Sequence, residues 1–161
     1  MFTKLVPGTT IGISSPAWIP LKERVANGIK YLEEKGFKVK ISKNINNQYG
    51  YFAGTDEERL EDLHDLFADK EVSAILATRG GWGTLRMLHK LDFELIKKNP
   101  KPVIGYSDIT SLQLAILTKT GLGSLSGPML AVEMGKGIKE FTENHFWNYS
   151  DRKKRITMET S

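Results

Sequence analysis

The 161-residue sequence contains no cysteine, which excludes disulfides and thiolate metal sites. Histidine is scarce: His64, His89 and His145 stand far apart, and none belongs to the His-x-x-x-His pair of a zinc site. Their surroundings favour a structural role for each. No apolar run approaches the length of a membrane span, and the N-terminus lacks the apolar core of a signal peptide. These absences predict a cytoplasmic protein without a metal centre or a membrane partner.

Acidic residues are only slightly outnumbered, since 23 Lys and Arg stand against 19 Asp and Glu and give a net charge of +4. Much of the excess lies near the C-terminus, at Lys136, Lys139 and 152–155. A basic cluster this short, without an RNA-binding signature, favours a solvated linker over a nucleic-acid partner. The composition, 40% hydrophobic and 26% charged, is that of one globular domain with its own core.

Short apolar runs alternate with helical patterns along most of the chain. Leu60, Leu63 and Leu66, for example, follow a Thr55–Glu58 capping box at helical spacing. Predicted strands cover 9–14, 37–41, 72–78, 103–106 and 121–127, predicted helices cover 21–35, 55–67, 84–88, 93–98, 110–118 and 141–149, and 155–160 alternates like a further strand. The alternation predicts an α/β fold: a parallel-sheet, flavodoxin/Rossmann-like layered domain with helices on both faces.

The segment Lys101–Thr110 has the pattern of a buried strand, a sharp turn and a helix start. A turn of this kind exposes a nucleophilic serine, here Ser107, beside the N–H groups of a helix N-terminus. The plainer alternative is that Ser107 or Asp108 caps the helix that follows. The lipase-type Gly-x-Ser-x-Gly elbow is not matched, because Ile109 occupies its last position. Both interpretations stay open at this point.

A glycine-rich turn with the sequence Arg-Gly-Gly-Trp-Gly covers 79–83, directly after another predicted strand. Its glycines permit positive φ and close backbone approach, so its N–H groups can face an anion. It is not a dinucleotide fingerprint, because Arg86 stands where the third glycine belongs. A plain turn, an oxyanion site and a nucleotide site remain as alternatives. Trp82 either walls a pocket or covers the sheet edge.

Seven segments carry a family resemblance through their residues, order and spacing. They are Gly8–Pro16, Tyr51–Arg59, Ala77–Leu88, Leu91–Asp92, Lys101–Leu112, Thr120–Leu122 and Gly127–Leu130. Together they resemble the LD-carboxypeptidase family, the muramoyltetrapeptide carboxypeptidases whose relatives include the microcin immunity peptidases. The resemblance extends over nearly the whole chain up to Leu130.

The resemblance implies a serine-type hydrolase with a Ser-His-Glu triad and no metal or cofactor. Its substrate would be a murein-derived tetrapeptide, from which it removes the terminal D-alanine during cytoplasmic peptidoglycan recycling. Ser107 matches the family's nucleophile, and the backbone N–H groups of Gly81 and Asp108 match its oxyanion hole. The candidates for the substrate pocket belong to the glycine turn and are Arg79, Gly80 and Trp82.

The family's triad glutamate and histidine come from a second domain, and no residue of this sequence matches them. We therefore expect 1–135 to form the nucleophile-bearing N-terminal domain, and 136–161 to be a linker or the start of a C-terminal domain that is absent. We expect this half to be inactive alone, because a serine without its base is a weak nucleophile. An apolar face left exposed would favour self-association, for example as a homodimer. A non-catalytic peptide-binding or assembly module is the alternative.

Overall fold

The computed structural model describes residues 4–151. Within this part of the chain, five strands form one sheet in which every neighbouring pair is parallel. They are β1 (Thr10–Ser14), β2 (Lys38–Ile41), β3 (Val72–Ala77), β4 (Val103–Gly105) and β5 (Leu125–Ser126). Their order, β2-β1-β3-β4-β5, is the doubly wound order of flavodoxin-like domains. The predicted α/β class with a parallel sheet is therefore confirmed.

Helices connect the strands and cover both faces of the sheet. The α-helices are α1 (Lys22–Glu34), α2 (Asp56–Ala68), α3 (Phe93–Lys98), α4 (Ile109–Thr120) and α5 (Glu140–Asp151), and 3-10 segments cover Thr84–Arg86, Leu88–Lys90 and Met134–Lys136. Leu21, expected on the apolar face of the first helix, lies at its N-cap and is exposed. The strand predicted over 155–160 lies outside the described residues.

The single helix predicted over 84–88 is wrong. The chain closes i→i+3 hydrogen bonds there, such as the Met87 N–H to the Thr84 carbonyl at 3.1 Å. Gly83 enters this segment with a φ of +134°, and Met87, with a φ of −110°, separates two short 3-10 turns. Both values lie away from the helical φ near −63°, so the backbone cannot continue as one α-helix.

Two apolar clusters, one on each face of the sheet, form the core. Adjacent strand residues point to opposite faces, and in β3 Ile75 belongs to one cluster while Leu76 belongs to the other. The first cluster includes Phe67 of α2, and the second includes Leu32 of α1 and Phe146 of α5. Because both faces are covered, the strands are apolar on both sides, as is typical of buried parallel sheets.

The capping box predicted at the start of α2 is present. The Glu58 N–H donates to Oγ1 of Thr55 at 3.2 Å, and the Thr55 N–H donates to Oε2 of Glu58 at 2.7 Å. At the other end of the chain, α5 lies inside the segment 136–161 and packs Phe146 into the core. The domain boundary at residue 135 stays a prediction.

Candidate active site

Three loops meet at the carboxyl end of the sheet, after β1, β3 and β4. Because β3 lies between β1 and β4, the glycine turn after β3 contacts the other two loops. A Cβ atom on Gly81 would lie 2.6 Å from Cβ of Trp18, in the loop after β1. A Cβ atom on Gly80 would lie 3.1 Å from Cβ and 3.2 Å from Oγ of Ser107. The missing side chains at both glycines let the three loops approach each other closely.

Ser107 has an unusual backbone conformation. Its φ of +61° is the one positive value of a non-glycine residue in the part of the chain that the structure describes. Such a conformation costs an L-residue about 1 kcal/mol and is retained where surrounding contacts fix it, often at functional sites. The side chain is exposed, and only Asp108 separates Ser107 from the first residue of the 12-residue helix α4. The turn therefore holds a hydroxyl in solvent beside the positive end of a helix.

Asp108 occupies the N-cap position of α4, but its side chain does not cap the helix. Its Oδ2 instead accepts a hydrogen bond from the Thr84 N–H at 3.0 Å, and its carbonyl accepts one from the Thr84 hydroxyl at 2.8 Å. The Ser107 side chain makes no capping bond within residues 4–151 either. Neither side chain therefore caps the helix among the described residues, and Asp108 instead ties the serine turn to the glycine turn.

Several backbone donors on these two turns are unoccupied. The N–H groups of Gly81 and Asp108, like those of Gly80 and Trp82, donate no hydrogen bond to any residue between 4 and 151. Backbone donors without a protein partner are available to water or to an anionic ligand. The arrangement can therefore accept the negative charge that develops on a carbonyl oxygen attacked by Ser107.

A buried arginine that the sequence does not single out supports the glycine turn from behind. Arg59 is 1% exposed, donates from Nη1 to the Pro16 carbonyl at 2.7 Å and pairs with Asp56. The same Nη1 lies 2.7 Å from the position of a Cβ on Gly83. One side chain thus contacts the loop after β1 and the loop after β3.

Arg59 and the charged groups around it shift one another's pKa values. Burial lowers the pKa of Arg59, and the nearby Asp56 carboxylate opposes that effect. Burial raises the pKa of Asp56, but the hydrogen bond from Arg86 and the charges of Arg59 and Arg86 outweigh it, so the net pKa of Asp56 lies below its ordinary value. The three groups therefore form a charged cluster at neutral pH.

Aromatic side chains border the glycine turn on its solvent side. Tyr51 lies between Trp18 and Trp82. Its ring centroid is 5.3 Å from that of Trp18 and 6.4 Å from that of Trp82. All three rings are between 40% and 47% exposed. Phe52 fills the space behind them, 5.7 Å from Trp82. Trp82 thus packs on Tyr51 and Phe52 beside the glycine turn, and its place in a substrate pocket stays a prediction.

The hydroxyl of Ser107 forms no hydrogen bond with a base among residues 4–151. His64 accepts a hydrogen bond from the Asp92 N–H at 3.0 Å, and His145 bonds the Phe141 carbonyl at 2.7 Å, so both hold the fold. Tyr106, next to Ser107, donates to Oε1 of Glu133 at 2.7 Å. Burial and then this hydrogen bond raise the pKa of Tyr106 to about 12, so its phenol is neutral near pH 7.

Two further features of residues 4–151 concern metals and membranes. No group of three or more Asp, Glu or His side chains in this range could hold a metal ion. None of the helices described above combines the length and the apolar character that a bilayer span requires.

A family model described as the LD-carboxypeptidase N-terminal domain matches residues 11–127. The chain belongs to the LD-carboxypeptidase family. The Bacillus subtilis protein named "Probable murein peptide carboxypeptidase" is 48% identical over 128 residues, which are 80% of this chain and 40% of that protein. The microcin C7 self-immunity protein MccF of Escherichia coli is 37% identical over 135 residues, or 82% of this chain and 39% of that protein.

Solved structures of relatives have the same fold as this chain. The structure of MccF in complex with glutamyl sulfamoyl guanosine has a TM-score of 0.91 at 32% identity and covers 96% of this chain and 48% of that one. A muramoyltetrapeptide carboxypeptidase from Oxalobacter formigenes has a TM-score of 0.81 at 32% identity and covers 88% of this chain and 47% of that one. This LD-carboxypeptidase chain thus spans less than half the length of these relatives.

Proposed function

We propose that this chain is the nucleophile-bearing domain of a serine-type LD-carboxypeptidase, which removes the terminal D-alanine from murein tetrapeptide in the cytoplasm. The observation that carries the proposal is the strained, exposed Ser107 held against the side-chain-free Gly80. The N–H groups of Gly81 and Asp108 on the same two turns support it, since they donate to no residue between 4 and 151. The names of the relatives support the substrate class.

The chemistry follows from this arrangement. Oγ of Ser107 adds to the carbonyl carbon of the last peptide bond and loses its proton to a base, while the N–H groups of Gly81 and Asp108 stabilise the oxyanion. The carbon–nitrogen bond then breaks, and D-alanine leaves with a proton returned by the base. Water hydrolyses the acyl-serine by the same steps in reverse order and frees the enzyme.

The base and its orienting carboxylate belong, in this proposal, to a second domain. Residues 1–135 would form the nucleophile-bearing domain, and 136–161 would lead toward the domain that carries the triad histidine and glutamate. The chain alone is then inactive, because removing the base of such a triad costs orders of magnitude in rate. The interpretation is consistent with the coverage of less than half of each relative.

The test is a D-alanine release assay with the purified chain and synthetic murein tetrapeptide. We expect binding without turnover, and turnover once the second domain of the same protein is added or fused. Release of D-alanine by the chain alone would contradict the assignment of the base to another domain. A Ser107→Ala variant is the control for any activity that appears, and Ser111→Ala, at a half-buried position inside α4, is its counterpart away from the turn.

A second candidate function is a binding module that keeps the fold without the chemistry. The structure of MccF bound to glutamyl sulfamoyl guanosine makes an aminoacyl nucleoside the natural competing ligand. Thermal-shift titrations with that compound, with a plain nucleotide and with tetrapeptide distinguish the candidates. A shift with the aminoacyl nucleoside favours an immunity-type peptidase, and one with nucleotide favours a nucleotide-binding module. A shift with tetrapeptide fits the murein enzyme and a peptide-binding module alike, and turnover restored by the second domain then identifies the enzyme.

Self-association is the remaining proposal, and an apolar groove supports it. The groove has a volume of about 740 Å³ and lies between the 3-10 turns, α3 and α4. Leu85 and Leu114 on its walls are 58% and 55% exposed. Exposed leucines side by side favour contact with another apolar surface, and a second copy of the chain offers the same surface for a symmetric contact.

A further inference from the structure

Arg79 stands at the start of the glycine turn, where two contacts hold its guanidinium. Its Nε donates to the Gly80 carbonyl at 3.2 Å. The guanidinium carbon lies 5.5 Å from the centroid of the Trp18 ring, which is a cation–π distance. The residue is partly buried. The side chain is therefore positioned by the fold rather than extended freely into solvent.

Among residues 4–151, the guanidinium nevertheless has no anionic partner. No Asp or Glu of the described residues forms an ion pair with Arg79, whereas Arg59 and Arg86 both pair with Asp56. The terminal nitrogens of Arg79 thus keep the parallel N–H donors that fit a carboxylate. A partly desolvated cation without a counter-ion is costly to maintain, and an anionic ligand would remove that cost.

The position of this cation matches the chemistry proposed above, on which this inference rests. The Arg79 side chain is hydrogen-bonded to the Gly80 carbonyl, and a Cβ on Gly80 would lie 3.2 Å from Oγ of Ser107. A carboxypeptidase cleaves the last peptide bond, so the free carboxylate of its substrate lies one residue from the attacked carbonyl, about 3.5 Å of chain. The cation that binds this carboxylate must therefore lie close to the nucleophile.

We propose that Arg79 binds the terminal α-carboxylate of the peptide and so restricts the enzyme to the last residue of its substrate. Trp18 acts as a positioning residue, because its ring supports the guanidinium. Gly81 makes this possible, since any side chain there would collide with Trp18 Cβ at 2.6 Å. Charge-assisted pairing of this kind is geometrically specific, so it selects a free carboxylate over an amide.

The experiment compares murein tetrapeptide with the same peptide amidated at its C-terminus, by calorimetric titration of the chain. We expect the amide to bind about 10-fold more weakly, the usual effect of losing one charge-assisted hydrogen bond. Arg79→Gln should bind the acid about 10-fold more weakly than the parent chain and no longer distinguish the two peptides. Arg79→Lys should keep part of the preference. The control is Lys30→Gln, which removes the same charge from the exposed surface of α1. It should keep the full preference for the acid over the amide.

Each outcome decides a separate point. Equal affinity of the parent chain for acid and amide overturns the assignment of Arg79 and leaves the proposed function in place. An Arg79→Gln variant that still prefers the acid overturns it as well. Binding of neither peptide contradicts the proposed function itself, and this inference with it. The acid–amide comparison on the parent chain needs no variant, so a folding defect in Arg79→Gln leaves the test intact.

Discussion

The hydroxyl oxygen of Ser107 lies 3.2 Å from the position that a Cβ atom on Gly80 would occupy. A Gly80→Ala substitution should therefore crowd the nucleophile. Peptide affinity should fall at least 10-fold, while the free energy of unfolding falls by about 1 kcal/mol, because contacts of 3.1 to 3.3 Å with Ser107 and the Tyr106 carbonyl require only a small shift. Calorimetric titration and urea unfolding measure the two quantities.

The control for this substitution is Gly12→Ala. A Cβ on Gly12 would meet Leu66 Cδ2 at 2.9 Å and Val72 Cγ1 at 3.0 Å in the core. That variant should lose stability but bind peptide normally. Normal peptide binding by Gly80→Ala would mean that this contact does not shape the site.

Ser107→Gly should stabilise the fold. Glycine adopts a φ of +61° without the cost that serine bears, and the net gain should be about 0.5 kcal/mol, because the greater flexibility of glycine in the unfolded chain offsets part of the relieved strain. Ser111→Gly, inside α4, should instead lose about 0.5 kcal/mol. Urea unfolding of both variants gives the comparison, and a Ser107→Gly variant less stable than the parent chain would show that the turn is unstrained.

Arg59→Met should destabilise the chain by about 3 kcal/mol, because it leaves the Pro16 carbonyl without its donor and Asp56 without its buried partner. Arg86→Met, which removes the exposed partner of the same carboxylate, should cost far less. Equal losses in urea unfolding would contradict the view that the buried arginine, rather than the ion pair in general, holds the two loops together.

Acid should weaken the fold through Asp56. The folded pKa of this carboxyl lies below its ordinary value, so its stabilising contribution is complete above the ordinary pKa near 3.9 and is lost as the pH falls through the folded pKa. Urea unfolding between pH 6 and 3 should show this loss in the parent chain and a flatter profile in Asp56→Asn. Asp62, whose pKa is raised by burial, is present in both the parent chain and Asp56→Asn, so its contribution to the pH dependence cancels when the two profiles are compared.

Leu114→Lys should abolish self-association. Light scattering at increasing concentration should show a rising mass for the parent chain and a constant monomer mass for the variant. Leu21→Lys alters a leucine of similar exposure, 61% against 55%, outside the groove and should leave the parent behaviour unchanged. A monomeric parent chain at high concentration would rule out this proposal.

The sequence predicts the sheet well because parallel buried strands read as apolar runs, and Ile75 and Leu76 face opposite clusters within one such run. It also predicts where the serine and glycine turns stand. It does not predict that Arg59 is buried, because an arginine beside a capping box fits an exposed helix face equally well. The contact of Trp18 with Gly81 joins residues more than 60 positions apart, and no local pattern encodes it.

The placement of β3 between β1 and β4 makes the candidate site depend on strand pairing at both sides of β3. The glycine turn meets Trp18 only after β1 and β3 have paired, and it meets Ser107 only after β4 has been added at the opposite side of β3. β4 is short, three residues, and its outer neighbour β5 has two. Fraying from that side would separate Ser107 from Gly80 while the pairing of β1 with β3 stays intact. The reactive geometry should therefore be lost before the core is.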